Sequence, residues 1–124
     1  MHINIKATGS VNLTDELRAY VEDKFKKIEK VVDPNDTALM ADVELATTTE
    51  GQNTGDIYRA EINVSHTGGL TRSEAIKDTM HSAIDEAVKE ARRELRKALS
   101  KRRQFVRKGA AKVKDFLRGF GGKQ

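Results

Sequence analysis

The side chains best suited to bond-making chemistry are few in this chain. His2, His66 and His81 titrate nearest neutral pH, but no two of them stand at an HxxxH or comparable ligand spacing. There is no cysteine, so disulfides and thiolate zinc sites are excluded; a metal would need histidines and carboxylates converging from distant positions. His81, near the start of a helical pattern, reads as a partly buried structural histidine. Ser65-His66 and Ser73-Glu74 pair a hydroxyl with a titratable neighbour, yet neither has the flanking glycines of a nucleophile elbow. Asp42 and Glu44 share one face of a strand pattern, as paired glycosidase carboxylates do, and a solvent-facing strand row explains them at less cost. The stretch HTGGLTR matches neither GxGxxG nor GxxxxGK[ST]. The expectation is a protein that is not an enzyme and uses no cofactor, no metal and no small-molecule substrate.

Binding chemistry is better represented. Around the stretch ARRELRKALSKRRQFVRK, the side chains of Lys89, Arg92, Arg93, Arg96, Ser100, Arg103 and Arg107 sweep the side of a helix away from its apolar stripe. Lys97 and Lys101 lie at the margin of that stripe, and Arg102 interrupts it. On an earlier helix Lys24, Lys27 and Lys30 repeat every three residues and avoid most of the apolar positions. Rows of this kind suit a polyanion, because each phosphate contact releases counterions and adds about −0.7 to −0.9 to the log–log salt slope. Glu90 and Glu94 can pair with Arg93 and Lys97 and mask part of the charge, as Glu22 or Glu29 can for Lys26. After Glu94 no acid follows until Asp115. The binding surface is therefore expected toward the C-terminal half of the later helix. If the two helices lie side by side, both basic rows face one groove.

The elements that must position these rows are legible from hydrophobic period. INIKA alternates, with Ile3, Ile5 and Ala7 on one face. Thr14 is a helix N-cap with Asp15 and Glu16 in the first turn. Leu17, Tyr20, Val21, Phe25, Ile28 and Val32 then form one stripe, and the helix is expected to run to about Val32, stopped by Asp33-Pro34. Leu39, Ala41, Val43 and Leu45 alternate with Asp42 and Glu44. In IYRAEINVS, Tyr58, Ala60, Ile62 and Val64 point inward. HTGGL reads as a tight hairpin turn. In LTRSEAI the inward set is Thr71, Ser73 and Ala75, small enough to let a helix approach closely. A long helix starting near Asp78 carries the stripe Met80, Ile84, Val88, Ala91, Leu95 and Leu99. The order is β-α-β-β-β-α, an α+β fold with a four-stranded sheet and both helices on one face, because each helix has a single stripe to bury.

Length and composition agree. The chain has 124 residues, enough for one domain, with 37% hydrophobic and 34% charged residues. No uncharged stretch approaches the ~20 apolar residues of a spanning helix, and MHINIKATGS lacks the pattern of a secretory leader. With two Tyr, four Phe and no Trp, base stacking is not expected to be the main binding device. The net charge of +4 hides a segregation: residues 1–85 hold 9 basic and 15 acidic side chains, residues 86–124 hold 14 and 4. Such a field points to a polyanionic partner. Residues 1–104 are expected to form the binding domain, and 105–124 a flexible basic tail in which Val113, Phe116, Leu117 and Phe120 share a side if it is helical.

The order of elements and the two basic helices resemble the ribosome hibernation promoting factor and ribosome-associated inhibitor family. The resemblance spans about residues 1–103. It is carried by INIKATG, by LTDELRAYVEDKFKKIEK, by the strand pair ending in INV, and by MHSAIDEAVKEARRELRKAL. It implies a double-stranded-RNA-binding-like fold. It also implies binding to ribosomal RNA of the small subunit, in the channel between head and body at the decoding region. There the factor would block messenger and transfer RNA and silence idle ribosomes under stress. A cytoplasmic location, a free monomer and no membrane association go with it. Lys24, Lys27, Arg93, Arg96 and Lys97 match the family's basic positions; Lys30, Lys89, Arg92, Lys101, Arg102 and Arg103 join them from charge and helix geometry. The chain departs from the family pattern at His81, where a Tyr is frequent, at Thr79, where an Asp is displaced, and at Glu90, where a Lys is common. It looks like a short form, without the C-terminal dimerisation domain of long members. Two other readings stand beside this one: a general double-stranded RNA binder, and a membrane- or partner-binding protein working through residues 105–124.

Overall fold

A computed structural model describes residues 1–49, 55 and 57–121, with side chains through Lys101. The elements run β1 (Ile3–Ala7), α1 (Asp15–Glu29), β2 (Met40–Thr47), β3 (Tyr58–His66), β4 (Gly69–Lys77) and α2 (Met80–Gly121). The four strands form one sheet in the order β1-β2-β3-β4. β1 pairs parallel to β2, while β2–β3 and β3–β4 are antiparallel. The fold is the expected α+β arrangement of a four-stranded sheet with two helices on one face.

Local chemistry explains most boundaries. The Thr14 hydroxyl accepts the Leu17 N–H at 3.1 Å and starts α1. α1 ends at Glu29, three residues before the expected Val32. The Val31 N–H bonds to the Ile28 carbonyl at 3.0 Å, a tight three-residue closure, and Pro34 bars helical backbone at Asp33. The start of α2 is likewise two residues later than Asp78. Thr79 caps it, accepting the Ser82 N–H at 3.1 Å; the residue that departs from the family pattern thus does the work of a cap. The β3–β4 turn needs one positive-φ residue, Gly69 at +130°. The α2 backbone continues as helix from Met80 to Gly121, across the expected boundary at residue 104. At 42 residues it is about 63 Å long.

The core lies between the sheet and the helices. Val21, Phe25 and Ile28 of α1 meet Ala41, Val43, Leu45, Ala60, Ile62 and Val64 of the sheet, with Ile84, Val88, Ala91 and Leu95 from α2. Ala83 and Ala87 are also fully buried and extend the α2 stripe beyond the bulky positions. Facing them, Thr71, Ser73 and Ala75 are buried and small, so α2 settles close on β4 and the Ser73 hydroxyl donates to the Ala87 carbonyl at 2.8 Å. α2 is thereby fixed in rotation, and its buried stripe decides where each of its basic side chains emerges.

Candidate nucleic-acid interface

α1 and α2 run side by side in the same direction. Near their N-termini Tyr20 meets His81 and Asp85; near the end of α1, Lys30, Val31, Val32 and Asp33 share a groove of about 380 Å³ with Arg96 and Leu99. Of the two basic rows, Lys30 and Arg96 line this groove. Lys24 and Lys27 come from α1, and Lys30 is its C-cap. Lys89, Arg92 and Arg96 follow Asp85 along one side of α2 at spacings of three and four.

Their states differ. Lys27, Lys30, Lys89 and Arg96 are exposed and, among the described residues, form no ion pair. Lys24 is half-buried, 3.5 Å from the Asp85 carboxylate and 5.3 Å from the Tyr20 ring centre. Arg92 is half-buried too, and its Nε is enclosed without a hydrogen-bond partner among the described residues. Only part of its guanidinium charge therefore faces solvent. Asp85 organises the head of the groove: it accepts the Tyr20 hydroxyl at 2.7 Å as well as pairing with Lys24. Burial, the Asp85 hydrogen bond and the charges of Asp85 and Asp23 push the Tyr20 phenol up to about 12, so it remains a donor at any physiological pH.

Arg93, Lys97 and Lys101 do not line this groove. Arg93 is held by Glu90 at 2.9 Å and Glu94 at 4.0 Å, and Lys97 by Glu94 at 3.6 Å. Both pairings follow the expectation that these acids mask part of the charge. Lys97 and Lys101 line a second groove, of about 320 Å³, on the opposite flank of α2, with Leu70, Arg72, Glu94 and Ala98. The row expected to act as one surface is thus divided by the crest of the helix. Arg102 and Arg103, whose side chains lie outside the described residues, are placed only by their backbone in α2.

Two features escaped sequence reading. His81 is exposed, not partly buried as expected, and its ring centre lies 4.2 Å from that of Tyr20 at 39°. Asp85 carries no local sign of its role, because its partners Tyr20 and Lys24 belong to the other helix. The remaining suspects for catalysis are structural. His66 is buried in the β3–β4 hairpin; its Nδ1 accepts the Gly68 N–H at 3.2 Å and its Nε2 meets the Thr71 hydroxyl at 3.0 Å. Ser73 is spent on the Ala87 carbonyl. Asp42 and Glu44 lie on the open face of the sheet, with Asn4 and Arg59 as partners. Among the described residues there is no cluster of three metal-ligating side chains and no helix long and apolar enough to cross a membrane.

Comparison with known proteins agrees with this architecture. Comparison with curated protein sequences gives no significant match. The N-terminal domain of Thermus thermophilus Protein Y is similar, with 31% identity and a TM-score of 0.65 over 78% of this chain and 98% of that one. A ribosomal subunit interface protein from Coxiella burnetii has the same fold, with 19% identity and a TM-score of 0.64 over 81% of this chain and 99% of that one. The sequence profile of the sigma 54 modulation protein / S30EA ribosomal protein family matches residues 3–103, from the first strand to the basic half of α2, and the chain belongs to that family.

Proposed function

We propose that this protein binds the small ribosomal subunit through the groove between α1 and α2 and holds idle ribosomes silent. The observation that carries the reading is that Lys30 and Arg96 line one groove between two parallel helices, with Lys27 and Lys89 exposed on the same two helices and none of the four ion-paired among the described residues. Such a row matches a phosphate backbone, with charge left free to replace counterions. Family membership and the ribosome-related names of its relatives supply the partner. Seated at the decoding region, the protein would occupy the path of messenger RNA and the anticodon ends of transfer RNA. It would act by occupancy, without turnover, in the cytoplasm and as a free monomer. Arg93, Lys97 and Lys101 form a secondary contact set on the crest and far flank of α2, and Arg102 and Arg103 follow them in the sequence. The basic segment 105–124 extends that set.

Co-sedimentation of the full chain with purified small subunits tests the reading. Binding at moderate salt, weakening on a log–log salt slope of several units, is expected. Absence of binding to small subunits refutes it. Equal affinity for arbitrary RNA duplexes would replace it with a general double-stranded RNA binder.

A further inference from the structure

We propose that His81, backed by Tyr20, is a stacking platform for one unpaired nucleobase at the head of the interhelical groove. The inference rests on the RNA-binding reading above and assigns that surface a specificity its lysines and arginines lack, since phosphate contacts carry no base information. Three observations support it. The imidazole is exposed, while its ring centre sits 4.2 Å from the Tyr20 ring at a tilt of 39°, so Tyr20 supports it on one side. Tyr20 cannot swing away, because its hydroxyl is tied to Asp85 at 2.7 Å. A cation stands beside the aromatic pair: Lys24 Nζ lies 5.3 Å from the Tyr20 ring centre and 3.5 Å from the Asp85 carboxylate. An aromatic ring next to a backbone-binding cation is the usual composition of single-strand sites.

The geometry also selects the form of RNA. A base inside an A-form duplex has both faces occupied by its neighbours, whereas a looped or bulged base is free to stack on a side chain. The head of the groove thus prefers a flipped-out nucleotide, and the rest of the groove follows the adjoining backbone. Asp85 contributes a second discrimination. Its carboxylate, paired with Lys24 at 3.5 Å, repels a phosphate that approaches too deeply and holds the backbone on the outer side of Lys24.

The test uses the full chain in two assays. In titrations against purified small subunits, His81→Ala is expected to weaken binding about 5- to 150-fold, while His81→Phe stays within about threefold of the unmodified protein. In the second assay, an RNA hairpin carries one 2-aminopurine in its loop. Its fluorescence is quenched by the unmodified protein and by His81→Phe, and not by His81→Ala; 2-aminopurine in the paired stem responds to none of them. Thermal melts establish that both variants are folded at the assay temperature. Equal small-subunit affinity of His81→Ala and the unmodified chain overturns the proposal. So does equal loss in both variants, or loop quenching that survives in His81→Ala. If the unmodified chain fails to bind small subunits, the proposed function falls, and the hairpin assay alone decides whether His81 stacks a base.

Discussion

The open face of the sheet and the groove between the helices are built from the same side chains and treat charge in opposite ways. On the sheet, Glu44, Glu61 and Glu74 stand directly opposite one another across β2, β3 and β4. Three like charges in register repel. Arg59 resolves this by bonding all three, with Glu44 at 3.3 Å and Glu74 at 2.9 Å alongside its contact to Glu61. Arg72 adds a 3.0 Å pair to Glu61. In the groove, by contrast, Asp33 forms no ion pair with either lining cation, and Lys30 and Arg96, like Lys27 and Lys89 on the same two helices, have no ion-pair partner among the described residues. A cation already in a network must break it before meeting a phosphate, whereas an unpaired one only sheds water and counterions. The number of arginines on a surface is therefore a poor guide to its affinity for RNA, and their neutralisation is a better one.

The largest effect expected from this contrast is on binding. Lys30→Glu combined with Arg96→Glu should weaken small-subunit binding by about 100-fold and make the salt slope shallower by about 1.4–1.8, with an unchanged thermal melt. A fold lost in that variant would mean the groove residues serve the core. On the sheet, Arg59→Ala leaves three carboxylates facing one another without their shared partner. A loss of about 1–3 kcal/mol is expected, read as a fall in Tm of several degrees, with small-subunit affinity preserved. Reduced affinity at full stability would show that the sheet face also touches RNA.

A smaller effect separates two neighbours on α2. Arg96→Gln is expected to cost about tenfold in affinity, and Arg93→Gln less than about threefold, because Glu90 and Glu94 already hold Arg93. Equal losses would erase the distinction between paired and free cations. The smallest effect is in acid. Burial raises the Glu61 carboxyl, but the Asn63 hydrogen bond and the charges of Arg59 and Arg72 outweigh it and hold the group below its ordinary value. A depressed carboxylate contributes stability above its unfolded pKa of about 4.3 that is lost as pH falls through the folded value. Melts between pH 5 and pH 3 should therefore fall more steeply for the unmodified protein than for Glu61→Gln, by about 1–3 °C. Parallel curves would remove Glu61 from the acid response.

Nearly all of the fold was legible in the residues. Alternation in INIKA, MADVELAT and YRAEINVSH is a local property of extended backbone, and the three- and four-residue spacing of Val21, Phe25, Ile28, Ile84, Val88, Ala91 and Leu95 is a local property of helices. The small inward set Thr71, Ser73 and Ala75 even announced the close approach of α2. The misreadings have local causes as well. Two β-branched residues and a proline cut α1 at Glu29, and Thr79 took the cap that moved the start of α2.

The site was legible as an inventory and not as an arrangement. Lys24, Lys30, Arg93 and Arg96 look alike along the chain, and the rotation of α2 on β4, set by Ala83, Ala87 and Ser73, sends Arg96 into the groove and Lys97 and Lys101 to the other flank. His81 is exposed for a similar reason: Tyr20 reaches it from a different helix, and no spacing within α2 encodes that contact. By itself the sequence determined the elements, the buried stripes and the sign of the surface, because each depends on neighbours a few residues apart. Only the tertiary structure decided which cations stay free and which aromatic ring is presented, because both depend on which acid or ring from another element lands beside them.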